Sequence, residues 1–123
     1  MSSALQVAVS TETGKVPISV LILKGNLDAS TQKVLESKAY ELIDSGVKEM
    51  LLDMTELAYI GSAGLRAMLS ISAKLNQGIP DSKKFAHLKL LKPSAEVHKV
   101  LKTLGFEYEM DIFDDLDKAV NSF

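Results

Sequence analysis

Two short segments combine residue types and spacings that suit chemistry. The first is Ile60-Gly61-Ser62-Ala63-Gly64-Leu65. It joins a strand-like run to an apolar-striped helix, so Ser62 falls at the N-cap or in the first helical turn. Gly61 and Gly64 are expected to keep the backbone there accessible. Two readings of Ser62 stand. Its hydroxyl caps the helix and does nothing more, or it accepts a phosphate. A phosphoserine adds about −1.5 to −2 charges beside free N–H groups and the positive end of a helix dipole. The host fold would tolerate that charge, whereas a partner docked on the spot would feel it. The second segment is Gly25-Asn26-Leu27-Asp28-Ala29-Ser30-Thr31, after the preceding strand. It reads as a turn plus helix cap, or as the source of an exposed Asp28 sharing a surface with Ser62. The carboxyl-end edge of an open α/β sheet is where such sites gather.

Other chemistries lack their residues. Cysteine is absent, which removes disulfides, thiolate nucleophiles and Cys-ligated zinc. The two histidines, His87 and His98, are too few for a His-rich metal site. Neither has an obvious Ser or Asp partner nearby in sequence, so both read as structural or surface groups. No Walker phosphate loop, GxGxxG after a strand, HExxH or GxSxG is present. Asp111, Asp114, Asp115 and Asp117 lack the glycine and terminal Glu of a calcium loop, and read as a solvated helix start. No cofactor or metal is expected. Fourteen Lys+Arg against 16 Asp+Glu leave no basic footprint for nucleic acid. No apolar run reaches the ~18 residues of a membrane span, and Met1 to Ser10 has no signal-peptide pattern, so the cytoplasm is the expected location.

The elements that must position these segments follow from periodicity. The 123 residues suggest one domain, residues 1–123. Leu5 to Ser10 alternates as a strand, Thr13-Gly14-Lys15 turns, and Ile18 to Leu23 is a second strand that Gly25-Asn26 stops. Together they predict an antiparallel hairpin. Ser30 to Asp44 is a helix with Leu35, Ala39, Leu42 and Ile43 on one stripe. Asp28, Ser30 or Thr31 can cap its start, and Gly46 sits where a left-handed C′ residue is wanted. Val47 to Met54 is a strand, Ser62 to Asn76 a helix, Gly78 to Ser82 a turn-rich loop, Ala86 to Leu91 a strand and Ser94 to Leu104 a helix. A weak strand over Tyr108 to Ile112 and a helix over Asp114 to Asn121 close the chain. The alternation predicts an α/β fold with a small mixed sheet of four to five strands, the first hairpin antiparallel and the rest mainly parallel. Gln6, Ser19, Glu49, Asp53, His87 and Lys89 interrupt the apolar runs. A doubly covered parallel sheet would not show that pattern. Helices are therefore expected mainly on one face, the other being partly wet.

In order and spacing these segments resemble the STAS domain, named for sulfate transporters and anti-sigma factor antagonists. Gly25-Asn26-Leu27-Asp28, Leu51-Leu52-Asp53-Met54-Thr55, Tyr59-Ile60-Gly61-Ser62-Ala63-Gly64-Leu65, and Leu88 to Leu91 with Lys92-Pro93-Ser94 and Leu104-Gly105-Phe106 carry the likeness. The resemblance implies a phosphorylation-switched binding module rather than an enzyme. The unmodified protein would bind an anti-sigma factor of the serine-kinase type and free a sigma factor. The kinase would phosphorylate Ser62, and a phosphatase would reverse it. Partner contacts would fall on Asn26, Asp28, Gly61, Ser62, Ala63 and Gly64. The family usually places Asp immediately before the serine, where this chain has Gly61, and many relatives have Glu where Asn26 stands. A phosphorylation-independent adaptor, such as a lipid-transporter subunit or a stressosome-type scaffold component, is the alternative the resemblance leaves open.

Overall fold

The computed structural model describes residues 4–80 and 83–123. The elements run β1 (Leu5–Thr13), β2 (Pro17–Leu27), α1 (Gln32–Asp44), β3 (Met50–Ile60), α2 (Ser62–Leu75), β4 (Leu88–Leu91) and α3 (Ala95–Thr103). A 3₁₀ turn (Phe106–Tyr108), β5 (Ile112–Phe113) and α4 (Leu116–Asn121) follow. The strands form one sheet in the order β1-β2-β3-β4-β5. β1 and β2 are antiparallel, and every other pairing is parallel. This is the mixed five-stranded sheet expected from the sequence. Asp81 and Ser82, at the end of the expected 78–82 loop, lie outside the described residues.

The helix stripes explain the layering. Leu35 and Ala39 of α1, Leu65, Met68, Ile71 and Leu75 of α2, and Val97 and Leu101 of α3 all enter the larger core. They meet Leu21, Leu23, Met50, Leu52, Met54, Leu88 and Leu90 from one face of the sheet. On the other face, Ala119 and Val120 of the short α4 cover Ile18, Val20, Leu51 and Leu91. Three helices thus share one face.

Four details differ from expectation. First, β2 and β3 are longer at their carboxyl ends than their alternation suggests: β2 continues through Gly25 and Asn26 to Leu27, and β3 runs on to Ile60. The pairing there carries register shifts between Ile22 and Lys24 and between Gly25 and Asn26. Such bulges break the two-residue period, and from Met54 to Ile60 burial recurs every third residue. Second, two polar markers of the wet face are buried. Ser19 shares parity with Leu21 and Leu23 on the helix-covered face, and Lys89 lies under α4. The Lys89 ammonium donates to Ser122 O at 2.9 Å and Ser122 Oγ at 3.1 Å, and it sits 4.6 Å from the Phe123 ring. Third, α1 starts at Gln32, with Thr31 as N-cap. Fourth, the last strand is only Ile112–Phe113, displaced toward the carboxyl end of the expected segment. Gly46 does adopt a positive φ of 111° behind α1, as a left-handed C′ residue does.

Candidate functional site

The carboxyl ends of β2 and β3 bring the two segments together. Leu27 pairs with Ile60, and Gly61 N–H donates to Leu27 O at 2.9 Å. Asp28 and Ser62 are the next residues on each side of that bond, so both leave the same sheet edge.

Gly61 is the N-cap of α2, in ordinary extended backbone (φ −108°, ψ −179°), and it has no side chain to cap with. Ser62 is the first helical residue and is exposed. Its hydroxyl makes no hydrogen bond among the described residues. The capping reading of Ser62 therefore fails by one position: the residue sits inside the helix it was to cap. Gly61 O accepts from Gly64 N–H and Leu65 N–H. The N–H groups of Ser62 and Ala63 have no backbone acceptor among the described residues, as the first turn of any helix requires. The result is an exposed hydroxyl at the positive end of a 14-residue helix.

The neighbouring turn is held by its own side chains. Asp28 Oδ1 accepts from Ser30 N–H at 2.9 Å and Ser30 Oγ at 2.7 Å. Thr31 Oγ1 accepts from Asp28 N–H at 2.9 Å and donates to Asn26 O at 2.8 Å. Thr31 is buried. It spends its hydroxyl tying the turn back to β2 rather than capping α1. Asp28 is consequently half-buried and engaged, not the freely exposed carboxylate expected. Asn26 is half-buried as well.

Ala63 and Gly64 are buried, which corrects the expectation that Gly64 keeps the backbone open. A Cβ on Gly64 would lie 2.7 Å from Leu27 Cγ and 3.0 Å from Ile60 Cγ1. Gly64 lets the first turn of α2 press directly onto the ends of β2 and β3. Its place is behind the exposed edge.

Sequence reasoning missed a role for Tyr59. The residue is 53% exposed, and its phenol lies over the N-cap. A Cβ on Gly61 would meet Tyr59 Oη at 3.2 Å. The Tyr59 ring tip thus borders the space beside Gly61 closely enough that a side chain at Gly61 must shift it slightly. Beyond it, a shallow cleft of about 280 Å³ is lined by Tyr59, Glu96, Lys99 and Val100 among others. A larger cleft of about 510 Å³, lined in part by Val16, Pro17, Val47 and Glu49, opens at the opposite end of β2 and β3, away from Ser62. The pairing of His87 Nδ1 with Glu49 Oε1 joins residues 38 apart in sequence. His98 is exposed and lies 3.5 Å from Glu107. Among the described residues, no group of three or more His, Cys, Asp or Glu is placed to hold a metal ion. No helix there is long and apolar enough to cross a membrane.

The model of the STAS domain family matches residues 9–119. The chain belongs to the STAS domain family. Among curated proteins it is similar to BtrV of Bordetella bronchiseptica, named as a candidate anti-sigma factor antagonist. The two are 33% identical over 58 residues, 47% of this chain and about half of BtrV. Among solved structures, an anti-sigma factor antagonist from Mycobacterium paratuberculosis superposes with a TM-score of 0.79 at 17% identity, covering 97% of this chain and 93% of that one. SpoIIAA in its unphosphorylated form gives 0.72 at 22% identity, covering 96% and 94%. The phosphorylated form of Bacillus SpoIIAA gives 0.62 at 22%, covering 93% and 97%. These likenesses establish the STAS fold over nearly the whole chain.

Proposed function

We propose that this STAS domain is an anti-sigma factor antagonist, a non-enzymatic binding module switched by phosphorylation of Ser62. The observation that carries the reading is the exposed, unengaged Ser62 hydroxyl at the start of α2, one residue past the bond that fixes it beside the Asp28 turn. The names of BtrV and of the Mycobacterium paratuberculosis protein support the partner class, and the two forms of SpoIIAA support the idea that this fold carries a phosphate. In the unmodified state the edge formed by Asn26, Asp28, Tyr59, Gly61 and Ser62 docks an anti-sigma factor of the serine-kinase type. Transfer of phosphate to Ser62 ends the docking, and a phosphatase restores it. A cytoplasmic setting goes with this role.

The energetics favour a switch over damage to the fold. An anion at a helix N-terminus is stabilised by ~0.3–1 kcal/mol. The same charge buried without a partner in an interface costs several kcal/mol. A loss of ~3 kcal/mol is more than a hundredfold in affinity. Phosphosite mapping of the chain from its native cells, together with binding assays on the anti-sigma factor it captures there, tests the proposal. Ser62→Asp folds normally and binds that factor at least a hundredfold more weakly, whereas Ser62→Ala folds, binds and takes up no phosphate. Unmodified Ser62 throughout growth, with undiminished binding by Ser62→Asp, refutes the switch. That result would favour the phosphorylation-independent adaptor, for which Gly61 in place of an acidic residue is the specific pointer.

A further inference from the structure

We propose that this chain pairs with a second copy of itself through β1, joining two five-stranded sheets edge to edge about a two-fold axis at Val9. β1 is one edge of the sheet. Its nine residues pair with β2 in continuous register from Leu5↔Gly25 to Thr13↔Pro17, with no bulge. Two hydrogen bonds fix which way its backbone points: Asn26 N–H donates to Ala4 O, and Gly14 N–H donates to Val16 O. Even-numbered residues therefore turn their peptide groups toward β2. Leu5, Val7, Val9, Thr11 and Thr13 turn theirs outward, as alternation in an antiparallel ladder demands. These outward groups have no partner among the described residues.

Natural edge strands are usually blunted by lysine, proline, bulges or shortness. β1 (LQVAVSTET) has none of these. The other edge, β5, is two residues long, so head-to-tail joining of β1 to β5 has almost nothing to hold it. A closed two-fold pair is the arrangement left, since an antiparallel copy of β1 matches its own hydrogen-bonding spacing.

The side chains fit that register. With the axis at Val9, the 40%-exposed Val9 meets its own copy, and Val7 meets Thr11 on the same face. On the opposite face Ala8 meets Ser10, and Gln6 meets Glu12. Glu12 is the single charge in β1, and it lies across from a neutral amide that can donate to it. No like charges face each other. The Asp28 and Ser62 segments are outside this edge and remain uncovered.

Sedimentation equilibrium of the full chain from low to high micromolar concentration tests the proposal. The expected result is association to twice 13.4 kDa. Val9→Lys, a change at an exposed position, places two ammonium groups at the axis and leaves a monomer whose melting temperature equals that of the parent at concentrations where the parent is also monomeric. Gln6→Glu weakens the dimer by roughly threefold to tenfold and Gln6→Lys tightens it by a similar factor, because each acts twice across the axis against Glu12. A monomer at every concentration overturns the proposal. So does a dimer indifferent to Val9→Lys and to the sign of charge at position 6.

Discussion

Gly64→Ala tests whether the first turn of α2 is held by contact or by helix propensity. Propensity alone predicts a gain, since alanine is favoured over glycine in helices by ~0.8–1.0 kcal/mol. The local geometry predicts the opposite sign. The new Cβ would stand 2.7 Å from Leu27 Cγ and 3.0 Å from both Leu27 Cδ2 and Ile60 Cγ1. Leu27 is fully buried and Ile60 almost so, and Leu27 Cγ is a branch point rather than a flexible tip. Neither neighbour can rotate away into solvent, so the strand ends and the helix must separate. Overpacking of this kind costs ~1–3 kcal/mol, which leaves a net loss of about 1 kcal/mol, or roughly 4 °C in Tm for a domain of this size. The same separation moves Leu27 O from Gly61 N–H, the bond between the Asp28 and Ser62 segments. Thermal and urea unfolding read the stability, and amide exchange at Gly61 reads the bond. Ser70→Ala, at an exposed position on the same helix, serves as the control and gains a few tenths of a kcal/mol. A rise in Tm for Gly64→Ala, matching that control, would refute the close-contact reasoning.

Three further changes follow from the geometry. Gly61→Asp folds and matches or exceeds the parent in stability by a few tenths of a kcal/mol. Its backbone is ordinary, its side chain can cap the Ala63 N–H, and only the tip of the Tyr59 ring must move, so thermal unfolding should show no loss. Asp28→Ala costs ~0.5–2 kcal/mol in urea unfolding, because Ser30 N–H and Ser30 Oγ lose their acceptor. Lys89→Met keeps the packed stem but removes the donor to Ser122 O. It loosens α4 by about 1 kcal/mol, seen as roughly fivefold faster amide exchange at Val120 than at β3.

Where local pattern and tertiary structure agree, the sequence is a sufficient guide. The apolar stripes of α1 and α2 and the hairpin of β1 and β2 lie close to where periodicity puts them, and the Asp28 and Ser62 segments emerge on one edge. The failures have identifiable physical causes. The carboxyl ends of β2 and β3 escape a two-residue reading because bulges there replace that burial period with a three-residue one. Polarity alone places Lys89 and Ser19 on the wet face. A lysine head buried against the carbonyl and hydroxyl of Ser122 behind α4 and an aromatic ring, and a serine buried in line with Leu21 and Leu23, have no signature in a polarity pattern. Gly64 reads as accessible in sequence because the composition of a glycine segment does not distinguish an open backbone from one pressed against a neighbour. Tyr59 stands in the segment that carries the family likeness, but its place over Gly61 is not legible in sequence because it depends on the absent side chain two residues later.

The passage from β3 to α2 takes a single residue. Strand ends at Ile60, helix begins at Ser62, and the one residue between them is bonded across to β2. A joint this short offers no lever arm and no slack: whatever is attached at Ser62 cannot be transmitted by bending, because nothing there is long enough to bend. Under the proposed switch, the edge would work as a seal works in wax, altered at one point of its relief while the strands behind it keep their places. All accommodation to that alteration falls on the surface pressed against it. If the proposed switch at Ser62 holds, the short joint places most of the response in the partner and leaves this domain as the face on which the mark is carried.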